Sequence, residues 1–455
     1  MRPPDALARA MDCIDDIRNE TLRAIDAIQA GAQEAALVAR LDAYAANLKL
    51  VAEALPAGHK KQNTLAKKLL LYSFDARVCA VLRALLADGK DFTASDVLTR
   101  AKALTVWKPL PEPVRVHWAP KPKGGYRPIV VSGPMRRAQC LMVRDMLSMM
   151  NIDSAIDCSK KGGGGEKRLV ANVCKDIENE TNWWWTPDIK NCFGSIGPGH
   201  LGWLPIDRLL IRNVMFLPKC AKVVVAKTTP KEIGLILQSI GADTHASISV
   251  SVASQLHHIT VHIVRRGLLQ GSVLSPLLAR AVIARVIEAA LPDPEISTYS
   301  YSDDLVIGAS TEAENIAAKQ AVTKQFSSLP AGPIELHETS PINAKSRRSV
   351  VLGYRLEPGN GHGENYVHVK PWLKRTEAFK RRLLRKLKDA EPGANLFDVA
   401  EKYRIQWSKS QGAWTKVPKF SDSVSASITM SYVNDFIDGL PMGTWQANKP
   451  ILKAG

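Results

Sequence analysis

The sequence predicts an α+β protein with helices at both ends and paired strands between them. Three observations carry that expectation. Apolar residues in the first hundred positions recur at three-to-four spacing. Short β-branched and aromatic runs between about residues 106 and 356 are joined by turn-forming residues, and a basic amphipathic helix follows over 370–388.

The N-terminal region, 1–105, reads as helical throughout. Leu7, Met11, Ile14, Leu22, Ile25 and Ile28 keep helical spacing, Pro56-Ala57-Gly58 breaks it, and a second helix is expected from Leu65 to Ala87, stopped at Asp88-Gly89. No catalytic constellation occurs there, and packing or scaffolding is the expected role. From Val106 a proline-marked extended segment leads into Lys121-Pro122-Lys123-Gly124-Gly125-Tyr126-Arg127, which predicts two strands around a Gly-Gly turn. Lys121 and Arg127 on facing strands could hold phosphates, one as a point charge and the other as a bidentate fork. Standing alone, the same segment reads better as a solvated basic hairpin. Arg136, Arg137 and Gln139 then open a helix through Met150.

The glycine run Lys160 to Arg168 lacks P-loop spacing and suggests a loop near a nucleic-acid backbone. In Trp183-Trp184-Trp185-Thr186-Pro187-Asp188-Ile189, a carboxylate ends an apolar strand; by itself Asp188 could be a helix N-cap. His257, His258 and His262 fit strand or helix packing better than a zinc site. Gln270-Gly271-Ser272, just ahead of a helix expected over Ala279 to Ala290, lets backbone approach a ligand and offers hydrogen bonds to a sugar or base.

Tyr299-Ser300-Tyr301-Ser302-Asp303-Asp304-Leu305-Val306-Ile307 predicts a hairpin with two carboxylates at its turn. Adjacent like charges beside apolar strands repel and lose hydration, and a divalent cation relieves both, although Asp also favours exposed turns on its own account. A helix from Glu312 to Leu329, Lys345, and a strand pair around Val350 to Leu356 follow. Lys370 to Lys388 then holds nine Lys/Arg against the single acid Glu377, with Trp372, Phe379, Leu383, Leu384 and Leu387 on the other face. Lys370, Lys374, Arg375, Arg381, Arg382 and Arg385 are the candidates for tracking a nucleic-acid backbone.

Composition bounds the partners. Across 455 residues, 61 Lys+Arg against 44 Asp+Glu give a net charge of +17. That surplus favours a polyanion, nucleic acid first and an acidic membrane surface second. Seven scattered cysteines without a C-x-x-C pair argue for reduced thiols and against a zinc knuckle. The N-terminus lacks a signal-peptide core and no run approaches 18 apolar residues, so a soluble cytoplasmic protein without a membrane partner is expected.

Taken in order, these motifs resemble the bacterial reverse transcriptases, the group that includes group II intron, retron and defence-associated enzymes. Lys121 to Arg127 matches the family's triphosphate-binding hairpin, Asp188 in DIKNCF its first metal carboxylate, and Gln270 to Leu278 its QGSxLSPLL segment. Tyr301-Ser302-Asp303-Asp304 matches the tyrosine-x-Asp-Asp turn, and Lys345 and Val351-Leu352-Gly353-Tyr354 the motifs that close the palm.

The resemblance implies a right-hand polymerase: a helical N-terminal extension (1–105), fingers and a palm with an antiparallel sheet (106–355), and a basic helical thumb with the C-terminal region (356–455). It implies Asp188, Asp303 and Asp304 as catalytic residues. With the Ile189 carbonyl they would hold two Mg2+ ions, for which Mn2+ is a possible substitute. Lys121, Arg127, Gln270, Gly271 and Lys345 would bind the nucleotide, and Phe193 would act as a gate against the ribose 2′-hydroxyl.

The partners implied are an RNA template, such as a dedicated non-coding RNA, a DNA primer and product, and dNTPs. A second copy of the chain or an accessory defence protein is compatible with the resemblance. The long helical N-terminus, with no endonuclease or maturase domain evident, points to antiviral defence rather than intron mobility. Untemplated, protein-primed or short-repeat synthesis by the same site, and an inactive nucleic-acid-binding module, are the other readings; the intact Asp188, Asp303 and Asp304 argue against the last.

Overall fold

The helical spacing of the N-terminal region becomes five helices: α1 (Pro3–Asp26), α2 (Glu34–Ala54), α3 (Lys60–Tyr72), α4 (Phe74–Asp88) and α5 (Ala94–Ala103). The computed structural model describes residues 3–28, 34–54, 60–121, 124–150, 152, 154–159, 164–241, 252–345, 349–358, 367–371, 373–391 and 394–410. The helix expected from Leu65 to Ala87 is two helices. Ser73 interrupts it, its side chain accepting from the Ala76 N–H as the N-cap of α4, because a short hydroxyl side chain offers the backbone an alternative partner. Gly89, left-handed at φ 70°, ends α4 where expected.

The chain divides into two compact units, Met1–Gly162 with Pro187–Pro292 and Gln320–Glu338, and Gly163–Thr186 with Asp293–Lys319 and Thr339–Gly455. In the first, the strands β1 (Val114–Pro120) and β2 (Tyr126–Ser132) pair antiparallel and lead into α6 (Pro134–Met149). The N-terminal helices pack on α6 through a buried ion pair. Arg83 of α4 and Asp145 of α6 lie within 2.5 Å and are 3% and 1% exposed, and the Tyr44 hydroxyl of α2 donates to the same carboxylate at 2.8 Å. Burial would raise the Asp145 pKa, but the guanidinium groups of Arg83 and Arg144 outweigh it and hold the carboxyl below its ordinary value.

The chain next contributes α7 (Gly165–Glu178) and β3 (Trp183–Trp185) to the second unit. Back in the first come α8 (Cys192–Ser195), then α9 (Arg208–Leu210), which runs into a π-helical turn at Ile211–Met215. They are followed by β4 (Val223–Val225), α10 (Pro230–Ser239), α11 (Val252–Arg266) and α12 (Ser275–Ala290). β4 joins β1 in parallel, giving the order β2-β1-β4. The histidine stretch is helical, within α11, and α12 begins at Ser275, ahead of the expected Ala279.

In the second unit β5 (Ser297–Tyr301) and β6 (Asp304–Ala309) form the expected hairpin, and α13 (Glu312–Ser327) follows them. β7 (Ile342–Asn343) completes a four-stranded antiparallel sheet ordered β5-β6-β3-β7. Asn315 holds this sheet from α13, its amide donating to the carbonyls of Trp183 and Ile307 at 2.8 and 3.1 Å. β8 (Ser349–Val351), β9 (Tyr354–Pro358) and β10 (Val367–Pro371) make an antiparallel sheet of their own.

The last described helices are α14 (Leu373–Lys388) and α15 (Leu396–Ser410). Phe379, Leu383 and Leu387 of α14 pack with Leu396 and Ala400 of α15, and Trp407 stands 4.5 Å from Phe379, so the amphipathic pattern buries the predicted face. Each buried Phe or Leu side chain among them contributes about 1.5–3 kcal/mol. Trp372 and Trp414 lie outside the described residues. No described helix is long and apolar enough to cross a membrane. The structure is thus mixed α+β with small sheets that are antiparallel except at β1–β4.

Candidate active site

In the first unit, hydrogen bonds and close backbone approaches connect the candidate nucleotide residues of three separate segments. At the tip of the β1–β2 hairpin the Lys121 N–H donates to the Gly125 carbonyl at 2.9 Å, and Ala119 lies opposite Arg127. Strand alternation puts Lys121 and Arg127 on one face of the hairpin, and both are exposed. Further along β2 the Val130 N–H donates to the Gln270 carbonyl at 2.7 Å. Gly271 sits at φ 105°, and a Cβ there would fall 2.4 Å from the Val130 carbonyl oxygen, so only glycine allows this approach. The Leu268 N–H then donates to the Phe193 carbonyl at 2.8 Å, with Gly267 packed so closely that a Cβ would lie 2.5 Å from the same oxygen.

Gln270 Oε1 is buried without a hydrogen-bond partner among the described residues. A buried acceptor left unpaired costs roughly 1–3 kcal/mol, which a ligand donor would offset. Ser272 Oγ lies 3.8 Å from Cys140 Sγ on α6 and accepts from the Leu274 N–H, so it holds the turn into α12.

Asp188 is half-buried in this same unit. It is not a helix N-cap: Asn191, at φ 46°, takes that position for α8. Instead the 188–190 segment runs antiparallel to 335–337, with His337 N–H donating to the Asp188 carbonyl and Lys190 N–H to the Glu335 carbonyl, both at 2.8 Å. Ile189 opposite Leu336 is therefore a non-hydrogen-bonded pair, and its carbonyl points away from that partner.

The second unit holds the acidic turn. Tyr301 pairs with Asp304, leaving Ser302-Asp303 as a two-residue turn in which Ser302 takes φ 59°. Asp303 is half-buried and Asp304 exposed, while Leu305 through Ala309 are buried. A Cβ on Gly308 would fall 2.6 Å from the Trp184 ring, so β3 presses its indole flat on β6. The Tyr299 hydroxyl ties β5 to α7 by donating to Asp176 Oδ2 at 2.7 Å. Lys345, just beyond β7, pairs with Glu180 at 3.3 Å on the surface.

On α14, Arg381, Arg382 and Arg385 are exposed. Arg375 turns inward: it pairs with Glu166 at 2.9 Å and lies 4.4 Å over the Tyr354 ring, so it fastens α14 to α7 and β9. Lys370 pairs with Arg355 in the β9–β10 ladder, and the side chains of Lys370 and Lys374 lie outside the described set. His257 Nε2 lies 3.1 Å from the Val223 carbonyl, a packing role. Among the described residues no group of three or more His, Cys, Asp or Glu side chains stands ready to hold a metal ion. The donors at the candidate positions, three carboxylates and a backbone carbonyl, are hard oxygen ligands of the type Mg2+ takes.

Arg136 and Gln139, which the sequence shows only as openers of a helix, are 1% and 0% exposed. Arg136 donates to the Phe216 carbonyl at 2.7 Å, and Gln139 to the Thr105 and Lys108 carbonyls. Their three-residue spacing, on the face of α6 that also carries the apolar Cys140 and Val143, was the available signal. The chain matches no protein-family model and no curated protein.

Proposed function

We propose that the chain is an RNA-directed DNA polymerase, adding dNTPs to a primer 3′-hydroxyl in an antiviral defence setting. The observation that carries this reading is the hydrogen-bonded continuity, inside one unit, from the basic hairpin through Gln270-Gly271 to Phe193, five residues from Asp188. In the second unit β3 runs antiparallel to β6 with Trp185 opposite Ile307.

Asp188, Asp303 and Asp304, with the Ile189 carbonyl, are the residues that would hold two Mg2+ ions. Bound there, the ions would supply a lowered pKa for the attacking hydroxyl and charge neutralisation on the phosphates. Lys121 and Arg127 bind the triphosphate and spread the charge that builds during transfer. Gln270 and Gly271 form a floor under the sugar and base, and Phe193 excludes a ribose 2′-hydroxyl. Lys345 joins them by leaving Glu180, an exposed pair worth no more than about 1 kcal/mol. The exposed arginines of α14 track the template–primer backbone.

Primer extension tests the reading, using purified protein, a defined RNA template, a DNA primer and each dNTP, with the product sequenced. A product complementary to the template supports it. Repeats or homopolymer made without RNA would replace it with untemplated synthesis, and no product under any priming condition would leave a binding module. Phe193→Ala should raise ribonucleotide use about tenfold or more, and equal use of both sugars by the wild type would overturn the gate.

A further inference from the structure

Within the first unit, a cavity of about 680 Å3 is lined by residues that the proposed polymerase site does not use. One wall is α3, which carries Lys60, Lys61, Lys67 and Lys68 and no acid. Another is Trp107, whose ring is stacked on Tyr72 at 5.2 Å, beside Met146 of α6. The wall therefore offers an oriented aromatic face and a polarisable thioether, which suit a flat ring.

Lys67 and Lys68 both line the cavity. Lys67 Nζ donates to the Pro205 carbonyl at 2.6 Å, and burial lowers its pKa. No carboxylate pairs with either lysine among the described residues. Asp207, also in the lining, is engaged in accepting from the Leu209 N–H at 2.8 Å. Asn63 Oδ1 and Trp107 Nε1 are buried, one an acceptor and the other a donor, and neither has a hydrogen-bond partner among the described residues.

From this combination we infer that the cavity binds a nucleoside phosphate, its base against Trp107 and Met146, a base edge meeting Asn63, a ribose or phosphate oxygen meeting the Trp107 N–H, and its phosphate at Lys67 and Lys68. Nucleobase edges carry donors and acceptors side by side, and lysine binds phosphate as a point charge. A fatty-acid anion would match the cations and the apolar wall but leave Asn63 and Trp107 unpaired. The ligand is either a free nucleotide or the 5′-phosphorylated end of a strand.

Equilibrium dialysis of the full chain separates these, using ADP in one arm and a 5′-phosphorylated hexanucleotide in the other. Divalent metal is omitted so that binding at the proposed polymerase site is suppressed. Saturable binding of either probe is expected, weakened about tenfold or more by Lys67→Glu/Lys68→Glu and severalfold by Asn63→Leu, and unchanged by Lys121→Glu/Arg127→Glu. Preference for ADP assigns a free nucleotide, and preference for the hexanucleotide a strand end. Three results would overturn the inference: no saturable binding of either probe at millimolar concentration, binding that the hairpin charge reversal abolishes and the α3 reversal does not, or saturable binding of dodecanoate without ADP.

Discussion

The β1–β2 and β5–β6 hairpins solve one geometric problem with opposite chemistry. Each is an antiparallel pair closed by a short turn, and each carries its charges at the tip. The basic tip turns on Gly124 and Gly125, at φ 94° and 78°, which cost a glycine nothing. The acidic tip turns on Ser302 at φ 59°, a conformation that costs a non-glycine residue about 1 kcal/mol or more. Behind the basic tip the strand is half-exposed, whereas the five residues after Asp304 are all buried, between β5 and β3. Under the proposed function, long exposed cations would adapt to a polyphosphate, whereas short carboxylates sharing ions would need a fixed base.

The largest effect should come from the acidic tip. Asp303→Asn or Asp188→Asn should reduce primer extension by about 1,000-fold or more, a barrier increase of about 4 kcal/mol. Full activity in either variant would remove the carboxylates from the mechanism. Next is the ion pair between α4 and α6, where Arg83→Met leaves the buried Asp145 carboxylate with only the weaker Arg144 contact and the Tyr44 hydroxyl. A loss of about 3–5 kcal/mol in denaturant melts is expected, largely recovered in Arg83→Met/Asp145→Leu. Because the folded-state Asp145 carboxyl titrates below its ordinary value, its stabilisation is complete at neutral pH and is lost as pH falls below about 4. A melt midpoint that does not fall on acidification would contradict this.

At the basic tip, Lys121→Ala and Arg127→Ala should each lower kcat/KM for dNTPs about 10- to 100-fold with template binding intact. Steady-state kinetics showing unchanged values for both would leave the hairpin a solvated surface. The smallest effects separate the turns themselves. Ser302→Gly should change stability by less than about 1 kcal/mol, while Gly125→Val, forced to positive φ, should destabilise by about 1–2 kcal/mol. Equal melting shifts for the two would erase the distinction.

Period and turn chemistry made most elements legible. Alternation around Ser302-Asp303 located a hairpin to within a residue or two, and the apolar face of α14 is the buried one. Ser73 defeated the reading of a continuous helix because a cap and an interior serine look alike without the chain around them. Asp188 was ambiguous for a related reason: what excludes the N-cap role is the 335–337 segment, far away in sequence. Arg375 belonged to a run of cations that periodicity could not divide, and only Glu166 and Tyr354 distinguish it from its outward neighbours. Arg136 and Gln139 went unnoticed because a polar residue's burial depends on carbonyls supplied from distant positions.

The Arg83–Asp145–Tyr44 cluster also sets what can be removed from this protein. A chain trimmed to begin at residue 106 would keep Asp145 and Arg144 but lose Arg83 and Tyr44, and would bare to water the apolar face of α6 that the N-terminal helices cover. The first hundred residues are therefore not a detachable appendage. Recombination near residue 105 should yield insoluble products.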